Sequence, residues 1–490
     1  MALFELNIYT VLFWVFAAWH YALRCGYISD DHAVIAHRKD IIPDGEKSPG
    51  QEKYWIKVFN DGVVMYFINA IMFRLNAEKT PAVWHALSLA IHLANVYLLN
   101  IFLQPLIGTE ASLIACILWG INPMLNQSVV WVSGRPYSIA LFLTLIGMIF
   151  WNHPVVFMPL YLFAVITNIS IALVPIILKM IFPEAWQTTL YLVLMIAGGI
   201  PFILWKFHRR FTGALVIDRD NFRFKKRRFN TIAKTYAYYL WSLISPTKMG
   251  WYHESGFKYN AKWNKFNFFT LSGYAICYAL AQCGFAGWWF LLGILPNANI
   301  FATNSFLQDR YVYFGSIGFF IIVAPFLVPY HDLLLVLCAF YLTRSYMYSR
   351  QMVDDEKMYR ENWRNHPKSD YAVNNLSFFL IQRKRFEEAR VIIQEGLNIN
   401  NRNKMLWYNL GVTWASTATI NDNEGKLRFL RAMECWKMAL KIEPRWTKPA
   451  EDLQKLTEFL VQAKIITRDP AQAASKKVAI ETPVKNQQNK

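Results

Sequence analysis

Two adjacent carboxylates, Asp30 and Asp31, stand directly after the first long apolar run of this 490-residue chain. Carboxylates at the edge of a membrane segment are costly to keep there, so their presence suggests that the charge or a lone pair is used. The chemistry open to them is general-base removal of a proton from a hydroxyl nucleophile, for which a position within hydrogen-bond reach is the first requirement. The competing reading is a helix end followed by a solvated acidic turn. Cys25, Cys116, Cys277, Cys283, Cys338 and Cys435 show no metal-ligand spacing, and most lie in apolar runs, so neither a disulfide framework nor a metal site is expected. The net charge of +18 is concentrated between apolar runs, which makes lipid phosphate, rather than nucleic acid, the expected partner.

These residues are positioned by an expected all-α architecture. Crossing a bilayer takes about 20 apolar residues, and the chain offers such runs repeatedly up to residue 349. Helices are expected near 7–24, 82–104, 110–128, 136–151, 154–168, 169–183, 188–205, 232–246, 266–282, 285–301, 313–328 and 331–347, for about eleven crossings in all. The run 232–246 carries Lys234 and is a candidate for an interfacial or re-entrant segment; 58–75, with Asp61 and Arg74, reads as a helix lying flat on the membrane. The N-terminus lacks a basic stretch and a small-residue cleavage site, so a retained first helix is expected. The large connections, 25–80 and those within 206–265, emerge on one face. Their basic residues, including Arg38, Lys39, Lys206, Arg209, Arg210 and the run Lys225 to Arg228, would by the positive-inside rule lie in the cytoplasm.

Residues 350–466 change to an amphipathic pattern. Val373, Leu376, Leu380, Ala389 and Ile393 fit a first tetratricopeptide-like unit; Trp407, Leu410, Gly411, Trp414, Ala432, Trp436, Ala439 and Pro444 fit a second, with an insertion around Ala418 to Gly425. A helix near 448–464 is expected to cap this short solenoid, and the polar tail 467–490 carries no aromatic residue and is expected to be disordered.

The stretch GYISDDHAVIAHRKDI resembles the first external loop of the GT-C glycosyltransferases, in particular the protein O-mannosyltransferases that join a multispanning region to tetratricopeptide repeats. WHALSLAIHLANVYLL, WGINPMLNQSVVWVSGRPYSIALF and PNANIFATNSFLQDRYVYFGSIGF resemble three further blocks of that family, in the same order. The family's Ser-Lys-Glu after the fifth helix reads Thr-Asn-Ile-Ser at 167–170. The resemblance implies transfer of a sugar, mannose or similar, from a polyprenyl-phosphate carrier to an acceptor hydroxyl, with inversion, on the non-cytoplasmic face. Asp30 or Asp31 is then the base. Arg135, Arg310, Arg209, Arg210, Arg227 and Arg228 are candidates for the leaving phosphate, since a guanidinium grips phosphate bidentately. Snorkelling for Arg135, pairing with Asp309 for Arg310 and surface attraction to anionic lipid for the basic run are their alternatives. His85 is a candidate hydrogen-bonder of the carrier or of a neighbouring helix, and His92, on the same side of the helix, a packing residue. His32 could orient a carboxylate or touch the acceptor, and Trp251, Tyr252, His253 and Glu254 could stack on sugar or form an interfacial aromatic belt.

No cofactor or divalent metal is required; the expected partners are membrane lipid, the lipid-linked sugar and a protein or peptide acceptor met through the repeats, with the repeats and catalytic loop outside the cytoplasm. With about two repeats and no clear disulfides, a bacterial inner membrane is expected rather than the endoplasmic reticulum. Two other classes also fit the sequence: a non-catalytic scaffold or assembly factor recruiting partners through its repeats, and a flippase or polymerase for lipid-linked glycans.

Overall fold

Helix boundaries follow local chemistry. The computed structural model describes residues 6–32, 35, 63–75, 79–201, 228–247, 250, 266–298 and 307–466, and among them every regular element is helical, with twenty α-helices and no strand. The chain forms two compact units, Met1–His366 and Pro367–Lys490.

In the first unit Asn7 caps α1 (Ile8–Trp19) by accepting the Thr10 N–H. A short helix α2 (Val63–Arg74) precedes α3 (Pro81–Ile107), which opens with proline and stops at Gly108, held at φ +83°. Then come α4 (Thr109–Gly120), the single turn α5 (Asn126–Val129), α6 (Arg135–Ile149), α7 (Pro154–Thr167), α8 (Val174–Ile181) and α9 (Trp186–Leu194). After residues outside the description follow α10 (Arg228–Ile244), α11 (Phe268–Gln282), α12 (Gly284–Ile294), α13 (Ser316–Leu327), α14 (His331–Gln351) and α15 (Asp355–Asn365). Among the described residues two helical stretches are long and apolar enough to cross a membrane, Pro81–Ile107 and Val132–Ile149.

Several expected helices come out shorter. The region 169–183 is a 3-10 turn at Ile169–Ile171 followed by α8, because Asn168 turns its side chain onto the Ser170 N–H and diverts the backbone. The run 188–205 leaves regular α-geometry after Leu194 in a π-turn, Met195–Gly199, where Gly198 and Gly199 weaken the helix. The expected flat helix 58–75 is observed from Val63; 58–62 lie outside the described residues.

The core is built on tryptophans. Trp19 Nε1 donates to the Gly120 carbonyl at 2.7 Å, Trp119 Nε1 to Tyr313 O at 3.1 Å and Trp289 Nε1 to Phe314 O at 3.2 Å, so these three buried indoles spend their N–H groups on backbone carbonyls at the end of α4 and in the turn before α13. Close approach also needs glycine: a Cβ on Gly318 would lie 2.3 Å from the Ala286 carbonyl, which brings α13 onto the backbone of α12.

The first unit runs to His366 and so includes α15. The second unit contains α16 (Asp370–Gln382), α17 (Phe386–Ile399), α18 (Lys404–Ser416), α19 (Asn423–Ile442) and α20 (Thr447–Gln462). Val373, Leu376, Leu380, Ala389, Ile393, Leu410, Ala432, Trp436 and Ala439, the expected core positions of two helix pairs, are buried. Gly411 receives the Trp436 indole, and the turn 417–422 separates α18 from α19 where the insertion was expected. The expected disordered tail, 467–490, lies outside the described residues.

Candidate functional site

Beyond α1 the chain makes a 3-10 turn, His20–Arg24, and then a turn whose shape is set by its own polar groups. Ser29 sits in the left-handed region at φ 53°, a strained place for a residue with a Cβ. Asp31 is fully buried. Its Oδ1 accepts the Ser133 N–H at 2.8 Å and the Ser133 Oγ–H at 2.5 Å, and its Oδ2 accepts the Ile28 N–H at 3.3 Å. Burial pushes its carboxyl up to about 6, against the lowering effect of those bonds and of the Arg135 charge. Asp30, its neighbour, is exposed. The two adjacent carboxylates thus differ in kind: one locks the turn to a distant connector, and the other keeps its lone pairs available to solvent or substrate.

The connector, 122–135, is folded tightly enough to demand glycine at one point. A Cβ on Gly134 would come within 1.9 Å of the Gln127 carbonyl oxygen. This packing places Ser133 against Asp31 and points Arg135 inward. Arg135 is fully buried, donating from Nε to Ser88 Oγ at 2.9 Å and from Nη2 to Trp84 O at 3.0 Å, with Cζ 5.2 Å from the Trp84 ring centre. Its Nη1 is buried without a partner, and Arg135 makes no ion pair among the described residues. A buried guanidinium N–H with no partner is costly, and it leaves hydrogen-bonding capacity unused at this end of the connector. His85 holds α3 to the turn through Nε2 and the Gly26 carbonyl, 3.2 Å apart.

The late Asp-Arg-Tyr-x-Tyr block reaches the other end of the same connector. Arg310 Nη1 donates to Gln127 Oε1 at 3.1 Å and Gln308 Oε1 at 2.9 Å, and its Cζ stands 5.1 Å from the Trp131 ring centre. Asp309 accepts the Gly250 N–H at 3.2 Å, and Gln127 Nε2 donates to Gly250 O at 3.1 Å. Below, His92 is more than the packing residue expected from its spacing: Nε2 meets Gly120 O at 2.9 Å and Nδ1 the Tyr313 hydroxyl at 2.8 Å. Asn95 adds bonds to that hydroxyl and to Ser138 O. This network holds α3, α4 and the start of α6 to the late block. Ser170 Oγ accepts an Asn297 Nδ2–H at 2.8 Å, joining the 167–170 segment to the Pro-Asn-Ala-Asn stretch.

Of the residues singled out from sequence, Asp30, Asp31, His85, Arg135 and Arg310 therefore lie on or beside one connector. His32 Nε2 meets Asp355 Oδ2 at 2.7 Å. Arg209, Arg210, Arg227, Trp251, Tyr252, His253 and Glu254 lie outside the described residues; Arg228 opens α10, with its side chain also outside. Among the described residues no group of three or more His, Cys, Asp or Glu could hold a metal ion. Sequence reasoning does not single out Ser133 or Asp355: Ser133 stands two residues before Arg135 with no signal of its own, and nothing in the local sequence marks Asp355. Comparison of the chain with protein-family models, curated proteins and solved structures returned no match.

Proposed function

We propose that this protein is a membrane glycosyltransferase of the GT-C type, similar in plan to the protein O-mannosyltransferases, with about eleven crossings and a short tetratricopeptide solenoid. It moves one sugar from a polyprenyl-phosphate carrier to an acceptor hydroxyl, Ser or Thr of a protein, on the non-cytoplasmic face. The observation that carries this reading is the pairing of an exposed carboxylate, Asp30, with a buried one, Asp31, bonded to the connector that bears Arg135, whose Nη1 has no hydrogen-bond partner. Large apolar side chains exposed on the first unit, such as Val155 at 87%, Phe326 at 71% and Val336 at 65%, support a lipid surround.

In this mechanism Asp30 takes the proton of the acceptor hydroxyl as its oxygen attacks the anomeric carbon from the face opposite the phosphate. The new glycosidic C–O bond forms while the bond to phosphate breaks, so the sugar inverts and the carrier leaves as a phosphate monoester. Arg135, through its spare Nη1–H, and Arg310 neutralise the charge that develops on that phosphate. The basic connections, which run against the positive-inside rule, serve anionic carrier on the outer face.

The test uses the purified full-length chain in detergent, a polyprenyl-phosphate mannose donor and a Ser/Thr-containing peptide. Asp30→Asn is expected to lower transfer by roughly 10²- to 10⁴-fold with folding intact. Full transfer by Asp30→Asn contradicts the assignment of Asp30 as the base, and absence of transfer by the wild-type chain contradicts the transferase and favours a scaffold; carrier-linked glycan moved or polymerised without any peptide acceptor favours a flippase or polymerase.

A further inference from the structure

The turn that carries Asp30 and Asp31 is gripped from outside by a third carboxylate. Asp355 Oδ1 accepts the Ser29 N–H at 2.7 Å, and Asp355 Oδ2 meets His32 Nε2 at 2.7 Å. These two contacts fall on the residues flanking the acidic pair, so one side chain brackets Asp30 from both sides. Asp355 is free for this task because its neighbour Asp354 caps α15, accepting the Lys357 N–H at 2.8 Å. The strands of chain involved also run together. Gly26 N–H donates to Val353 O at 2.9 Å, and Cys25 Sγ lies 3.5 Å from Ser349 O. The left-handed conformation of Ser29 is held in place by the bond from its own N–H.

We infer that Asp355 is a positioning residue: it fixes the turn so that Asp30 projects its carboxylate at a set angle, and it ties that turn to α15, the last helix before the second unit in sequence. The inference rests on the transferase reading for its catalytic consequence, but not for its structural one. Asp31 anchors the turn from inside through Ser133; Asp355 anchors it from outside through Ser29 and His32. Between the two anchors Asp30 has little freedom, which is what a base that must meet a hydroxyl at hydrogen-bond distance requires.

Amide hydrogen exchange at single-residue resolution and steady-state kinetics on the full-length chain in detergent, with polyprenyl-phosphate mannose as donor, test this together. In Asp355→Ala the Ser29 amide is expected to exchange at least roughly tenfold faster, while the Ile28 amide, bonded to Asp31, keeps its protection. The same variant is expected to lose about tenfold to a hundredfold in kcat, with donor KM within about twofold of wild type. Asp355→Asn, which retains an acceptor for Ser29 and a polar partner for His32, is expected to restore most of both. Unchanged Ser29 exchange in Asp355→Ala overturns the inference, as does faster exchange with unchanged kcat. A wild-type chain that transfers no sugar sinks the transferase reading, and the exchange result then decides alone whether Asp355 holds the turn.

Discussion

Removal of the Ser133 hydroxyl has a consequence that can be worked through in numbers. The Oγ–H is 2.5 Å from a carboxylate that is fully buried and already pushed up to about 6. A hydrogen bond to a charged group contributes about 1.5–3 kcal/mol, and each pKa unit corresponds to about 1.4 kcal/mol, so Ser133→Ala is expected to carry Asp31 from about 6 to roughly 7–8. The direction follows from which form the hydroxyl favours: it donates to the ionised carboxylate, so its loss favours the protonated one. Because the folded-state value lies above the ordinary 3.8, the stability linked to Asp31 is fully present below about pH 4 and declines as pH rises through about 6 in the wild type. In Ser133→Ala the decline continues to roughly pH 7–8, and above that the two proteins differ by about 1.5–3 kcal/mol, with the charge-dependent gap closing near pH 4. Melting of the full-length chain in detergent from pH 4 to 9, alongside infrared difference spectra of the carboxyl band with Asp31→Asn as reference, measures both quantities. Parallel melting curves across that range, or an unmoved titration midpoint, refute the assignment of Ser133 as the group that stabilises ionised Asp31.

Other changes have equally definite outcomes. Arg135→Lys replaces a fork that reaches Ser88 Oγ and the Trp84 carbonyl with a single ammonium, and is expected to raise the donor KM roughly tenfold or more in the mannose-transfer assay. Gly318→Ala would set a methyl 2.3 Å from the Ala286 carbonyl, a backbone atom that cannot swing aside, and is expected to cost about 1–3 kcal/mol by thermal melting. In the second unit Tyr408 donates to Asp452 at 2.8 Å, so Tyr408→Phe is expected to cost about 1–3 kcal/mol, read as a lower denaturant midpoint for that unit's transition.

Much of the helical plan was legible because it depends on local pattern. The buried positions of the second unit, from Val373 to Ala439, repeat at helical spacing, and Gly411 was marked by its place between Leu410 and Trp414. Helix lengths were less legible, since Asn168 and the Gly198-Gly199 pair interrupt runs whose hydropathy alone reads as continuous. The acidic pair was visible, but not the division of roles within it. Which of two adjacent carboxylates is buried depends on Ser133, 102 positions away, and the outer clamp depends on Asp355, 323 positions from His32. Contacts of that range leave no periodic trace in the chain. His92 illustrates the same limit: its spacing placed it on one helix side with His85, whereas its function as a bridge between Gly120 and Tyr313 comes from α4 and the late block folding against it.

A structure of the full-length chain in lipid nanodiscs with added polyprenyl phosphate tests the proposed placement of the lipid phosphate most directly. The phosphate is expected within hydrogen-bond distance of Arg135 or Arg310, with the Asp30 carboxylate facing the position of the sugar carbon and the turn on the non-cytoplasmic side. A headgroup bound away from the 122–135 connector, or a turn that opens to the cytoplasm, contradicts it.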